Sequence, residues 1–207
     1  NGSILNMTTH ETAGHATTTG LDNRKVMMWA FIGSDCLFFA SLVSTYLLYR
    51  GKSVVGPYPY EVFNIPYTSV SAFVLLMSSL TMVLALGAIQ RGDHTRLRIW
   101  LLATSILGCI FLGGQYFEFT VFVEQGVTLQ GNLFGSSFFT LTSFHGLHVT
   151  FGVVILMSFF VMSLRGRLSQ EQSLNIELAG LYWHFVDIVW IVIFTVVYLI
   201  EAPNIVH

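Results

Sequence analysis

Charge is scarce in this chain of 207 residues: Asp, Glu, Lys and Arg together make up 10%, against roughly 25% in an ordinary soluble domain. Positive charge is scarcer still. Nine Lys plus Arg against 11 Asp plus Glu leave a net charge of −2, with no basic stripe to neutralise phosphates, which excludes a nucleic-acid partner. Only Cys36 and Cys109 carry thiols, in separate apolar runs and without C-x-x-C spacing. A disulfide framework and a thiolate zinc site are therefore unsupported. No Walker motif, dinucleotide fingerprint or Ser/His/Asp triad is present, and no internal repeat is visible. Apolar residues are what the chain has in abundance, at 54% with a mean hydropathy of +0.68. That balance belongs to an integral membrane protein.

A helix crosses a ~30 Å hydrocarbon core with about 20 residues. Five mostly apolar windows satisfy this: 26–49, 66–90, 99–123, 134–164 and 178–200. They predict an all-α membrane protein, a bundle of five transmembrane helices, with 26–207 as its domain. Residues 1–25 read as a polar, mobile N-terminal segment, rich in Thr, His and Gly. The first window is too long for a signal-peptide core and contains Asp35. Asn1 stands where an initiator Met would, so trimming or processing is open.

Orientation follows from where Lys and Arg fall. Arg24, Lys25, Arg91, Arg96, Arg98, Arg165 and Arg167 flank one side; Arg50 and Lys52 flank the other. The side with seven is expected in the cytoplasm, which puts the N-terminus inside and the C-terminus outside. Trp29, Trp100, Tyr46, Tyr49, Tyr67 and Tyr198 lie near the span ends, where amphipathic rings favour the interface.

Ionisable groups inside spans cost a few kcal/mol each and call for a reason. Asp35 lies nine residues into its span, roughly 13 Å deep at helical rise, and Asp187 at a similar depth from the same side. His145 and His148 straddle the middle of the fourth span, so these groups are expected to share one layer. The i,i+3 pairs His145/His148, His184/Asp187 and Gln115/Glu118 each share a helix face and are placed to interact locally. Glu177 precedes the fifth span, where a helix N-terminus favours a carboxylate. Three roles are open for this layer: metal or haem ligation by imidazoles, a proton relay of Asp and His, or a network that fixes helix packing or lipid head groups. Ser136, Thr140 and Ser143 form a small polar stripe suited to close helix approach, and Gly113-Gly114 suits helix contact or a kink.

The run from Gly135 to Gly152, GSSFFTLTSFHGLHVTFG, resembles the GSxFFxxTxFHGLHVxxG pattern of haem–copper oxidase subunit III. From Glu177 to Trp190, ELAGLYWHFVDIVW is similar to that family's YWHFVDxVW segment. QYFEF from Gln115 and SDCLFFA from Ser34 resemble its QxxEY/F and SExxFFA elements. The matches fall in family order on every span but the second.

The resemblance implies an accessory subunit of a bacterial inner-membrane respiratory oxidase that reduces O₂ to water and pumps protons. It implies haem and copper in partner subunits, with no cofactor on this chain. It also implies packing on subunit I beside subunit II, and phospholipid held in a cleft. Asp35, Glu118, His145, His148, Glu177, His184 and Asp187 then become lipid-cleft and structural residues, with no catalytic or metal role. Five spans resemble the short bacterial form, where the common form has seven. The family's early glutamate is Asp35 here, its later one falls on Asn64 or on Glu61 in a shifted register, and no histidine occurs between His15 and His94. A five-helix subunit of a nitric oxide reductase is the competing role; an independent transporter or channel is the competing class.

Overall fold

The computed structural model describes residues 22–49, 65–124 and 133–199, and all the regular structure among them is helical. Five long helices follow in order: α1 (Asn23–Tyr49), α2 (Ile65–Gln90), α3 (His94–Glu124), α4 (Leu133–Leu164) and α5 (Ser173–Phe194). A 3-10 turn at Gln170–Gln172 leads into α5, and a π-helical turn at Thr195–Leu199 ends it. Each of the five is long and apolar enough to cross a membrane. The alternative register at Glu61 or Asn64, and nearly all of the N-terminal segment, lie outside the described residues.

The helices begin earlier than hydropathy alone indicates, because polar caps start them. Asp22 Oδ1 accepts from the Arg24 amide at 2.9 Å, and Asp93 Oδ1 accepts from the Arg96 amide at 3.0 Å. Each satisfies an amide of a first helical turn that has no partner within the helix. Hence α1 opens at Asn23, inside the segment expected to be a tail, and α3 opens at His94. Glu177 likewise sits in the second turn of α5, which starts at Ser173.

Two connections, α2 to α3 and α4 to α5, are tight because glycine ends the preceding helix. Gly92 (φ 73°) and Gly166 (φ 65°) adopt the left-handed conformation that other residues disfavour. After each, two amides reach back in the double-bonded arrangement of a glycine C-cap: Asp93 to Ala88 and Gly92 to Ile89, then Arg167 to Met162 and Gly166 to Ser163. Arg98 on α3 donates to the Ser163 carbonyl at 2.8 Å, placing positive charge at the C-terminal end of α4.

Helices α2, α3, α4 and α5 close a ring, with α2 against α3, α3 against α4, and α5 against both α4 and α2. Helix α1 is appended outside it, against α4 and α5. Trp183 of α5, almost fully buried, ties the ring together. Its indole lies against Gly108 and Gly152, where an added Cβ would come within 2.8 and 2.7 Å of the ring. Its Nε1 donates to Ser78 Oγ at 3.0 Å. One side chain thus reaches the other three helices of the ring. Gly114 meets Tyr67 and Ser71 of α2, while Gly113 has open space and α3 runs through both as continuous helix.

The attachment of α1 is narrow. Ile32, Phe39 and Tyr46 are its buried residues, spaced seven apart along one line. Grooves flank that line on both sides. One of about 600 Å³ opens between α1 and α5, among Cys36, Ala40, His184 and Ile188. The other, about 560 Å³, opens among Phe31, His148, Phe151 and Tyr182.

Candidate polar sites within the bundle

Helix spacing puts the expected polar residues on common faces, but the packing divides them among separate places. Beside α1, His148 Nδ1 stands 2.7 Å from the Phe144 carbonyl, which only accepts, so this nitrogen carries a hydrogen. That leaves Nε2 facing Asp35 Oδ2 at 3.5 Å, with both side chains about one-sixth exposed. Each group is the other's partner inside a span, which lowers the cost of keeping both there. Tyr182 donates to the His148 carbonyl at 3.0 Å.

His145 goes elsewhere. It is fully buried, stacked on Trp190 with centroids 5.0 Å apart and edge-on to Phe111. Neither of its ring nitrogens has a hydrogen-bond partner. Aromatic walls on several sides leave it no companion ligand, and among the described residues no three His, Cys, Asp or Glu side chains gather as a metal set. The expected His145/His148 pairing does not form, because residues three apart diverge by about 60° around a helix and different neighbours take each ring.

The other i,i+3 pairs part in the same way. Gln115 donates to the Thr142 carbonyl of α4 at 2.8 Å. Glu118 accepts from Thr68 of α2 at 2.7 Å and also meets Tyr198. The π-helical turn matters here: its extra residue brings Val197 and Tyr198 both inward. Tyr198, and Tyr46 on α1, are buried within the bundle near the span ends, while Trp29 and Tyr49 are exposed.

On the α2-facing side of α5, His184 Nδ1 bonds Ser79 Oγ at 2.6 Å rather than Asp187. Asp187 is 3% exposed, and neither of its carboxyl oxygens has a hydrogen-bond partner. Ser79 was not among the residues expected from sequence. Its signal was there, since Ser78, Ser79 and Thr81 interrupt an apolar span and each bonds across to another helix.

Where α1 and α5 start, Lys25 reaches Glu177 at 2.7 Å with both side chains about one-third exposed, and Arg24 reaches Asn175 at 3.4 Å. These contacts tie the start of α1 to the start of α5. The Ser136/Thr140/Ser143 stripe is not the close-approach face of α4: Thr140 bonds its own helix at the Ser136 carbonyl and Ser143 is exposed. Gly146 and Gly152 take that role, against Gln115 and Trp183.

Taken together, the fold and its sites define an integral membrane chain whose buried polar groups serve contacts between helices. The family profile of cytochrome c oxidase subunit III matches residues 6–202. A relative from Bacillus sp. (strain PS3), named cytochrome c oxidase subunit 3, is 37% identical over 185 residues, 89% of each chain. One from Synechocystis sp., of the same name, is 38% identical over 202 residues, 96% of this chain and 84% of the relative. A third, from Pseudomonas aeruginosa and named cytochrome bo(3) ubiquinol oxidase subunit 3, is 35% identical over 188 residues, 91% and 90%. The chain belongs to the cytochrome c oxidase subunit III family. It is an accessory subunit of a haem–copper oxidase complex, an oxidoreductase, and the family carries no redox centre of its own.

Proposed function

We propose that this subunit packs directly on subunit I of a terminal oxidase, beside subunit II, in a bacterial inner membrane. The haem and copper sit in those partners, and this chain stabilises subunit I and supports its proton uptake. The excess of Lys and Arg on the inner loops argues for a cytoplasmic N-terminus and an outer C-terminus. Residues 1–25 then mostly precede the membrane domain on the cytoplasmic side, and 26–207 form it. Asp35, Glu118, His145, His148, Glu177, His184 and Asp187 act as packing and lipid-cleft residues. Phospholipid acyl chains fit the two apolar grooves beside α1.

The observation that carries this reading is the family match over nearly the whole chain, joined to polar side chains that bond to neighbouring helices. Relatives at similar identity are named for cytochrome c and for ubiquinol as donor, as expected if the donor site lies on other subunits. The test is a reduced-minus-oxidised spectrum, with metal analysis, of the complex that co-purifies with the tagged chain in mild detergent. Haem together with copper is expected. Haem b with non-haem iron and no copper would instead mark a nitric oxide reductase, and a colourless preparation an independent transporter.

A further inference from the structure

The two grooves beside α1 differ in what their polar side chains are doing. In the groove of about 560 Å³, Tyr182 donates to the His148 carbonyl, and the His148 ring is held between Phe144 and Asp35. The groove of about 600 Å³ between α1 and α5 holds an imidazole that is only half engaged. His184, half-buried in its lining, meets Ser79 Oγ through Nδ1 at 2.6 Å. This is the only hydrogen bond either side chain makes among the described residues. The hydroxyl hydrogen therefore finds its acceptor at Nδ1, and the ring hydrogen stands on Nε2. Nε2 is a donor with no partner among the described residues, and unlike the ring nitrogens of His145 it is not sealed inside the bundle.

Depth decides what can meet that donor. His184 lies seven residues past Glu177, roughly 10 Å farther along the helix. Glu177, ion-paired and about one-third exposed, marks the polar boundary at that end. Phospholipid ester oxygens stay at such a boundary, so an acyl chain brings only methylenes to His184. It fits the groove by shape and leaves the donor unanswered in hydrocarbon, which is unfavourable. An acceptor oxygen on an otherwise apolar body answers it. Trp29, Phe39 and Phe185 stand among the aliphatic walls, surfaces that suit a flat ring, and the volume is that of a small-molecule site.

We infer that this groove binds a prenylated quinone, with one ring carbonyl accepting from His184 Nε2 and the isoprenoid tail lying along α1 and α5 in place of an acyl chain. A quinone ring is flat, carries acceptors without charge and dissolves in hydrocarbon, so it reaches a depth that a charged head group does not. The site is one of binding alone: no bond forms or breaks and no electron passes. Cys36, exposed on the same lining, reports on occupancy. The inference rests on this groove and not on the subunit reading, which its failure would leave standing.

The experiment measures decylubiquinone bound by the intact purified complex in mild detergent. The parent should retain one more quinone per complex than Ile188→Trp, which fills the groove from an exposed position. His184→Phe, a ring without the donor, should weaken that site about tenfold, the scale of one hydrogen bond. Ile155→Trp, in the other groove, should change nothing. Bound decylubiquinone should also slow alkylation of Cys36 by N-ethylmaleimide and spare that of Cys109, the exposed thiol on α3; this carries the test should Ile188→Trp not assemble. Equal retention in the parent and Ile188→Trp would overturn the inference, as would retention indifferent to His184→Phe or a Cys36 that the probe does not protect. Loss of phospholipid from Ile188→Trp with quinone unchanged would give the groove to an acyl chain and overturn it too.

Discussion

Helices α1 and α5 are equals by sequence and opposites by position. Their spanning segments have the same length, 27 residues, and the same mean hydropathy, 1.8. Yet 56% of the most apolar window is buried in α5 and 11% in α1. In water such a difference would be written as amphipathicity. In lipid it is not, because acyl chains are as apolar as a protein core and a spanning helix must be apolar all round. What distinguishes the two is the size and chemistry of the side chains. Helix α5 presents Trp183, Trp190, His184 and Asp187 to three neighbours; α1 presents Ser34, Ser41 and Thr45 outward, each bonded to its own backbone.

The sharpest way to probe that contrast is to enlarge a glycine on each side of it. Gly152→Leu drives a side chain into Trp183 and should cost about 3 kcal/mol, read as lost yield and a lowered melting temperature of the tagged chain in mild detergent. Gly33→Leu on α1, where an added Cβ meets nothing within 4 Å, should leave the isolated chain unchanged. If Gly33→Leu nevertheless blocks recovery of the complex, the open face of α1 is where a partner sits.

A smaller loss is expected from Trp183→Phe, which keeps a ring between the glycines but removes the bond to Ser78. About 1–2 kcal/mol should go, visible as a lower melting temperature that Ser78→Ala in the same chain worsens little, because the pair is already broken. Near-additive losses in that double-mutant cycle would mean the indole acts by volume alone.

Asp35→Asn tests the polar anchor of α1. Removing the carboxyl beside His148 should loosen α1 by about 1 kcal/mol and speed proteolysis after Lys25, while the melting of the four-helix ring stays put. Equal destabilisation of both would show that α1 belongs to the ring's cooperative unit. Smallest of all is Lys25→Met. Its ion pair with Glu177 is partly solvated, so roughly 0.5 kcal/mol is at stake, and that difference should fade in high salt.

The spans were legible because crossing hydrocarbon demands a length and an apolarity that no neighbour can relax. Their starts were less so: Asp22 and Asp93 moved two helix openings outward through capping bonds that hydropathy does not weigh. The polar residues were legible as exceptions, and their partners were not. His184 was placed beside Asp187 by spacing, but Ser79, 105 positions away, takes its Nδ1.

By itself, then, the sequence determined that this is a five-helix membrane chain of the subunit III family, and which of its groups are out of place in lipid. Only the tertiary structure decided that α5 is central and α1 peripheral, that His145 and His148 face different surroundings, and that His184 turns to Ser79 rather than to Asp187. The physical reason is that the constraint of the bilayer acts on each helix separately. The partners of a buried polar group are instead chosen by which helix happens to lie within three ångströms of it.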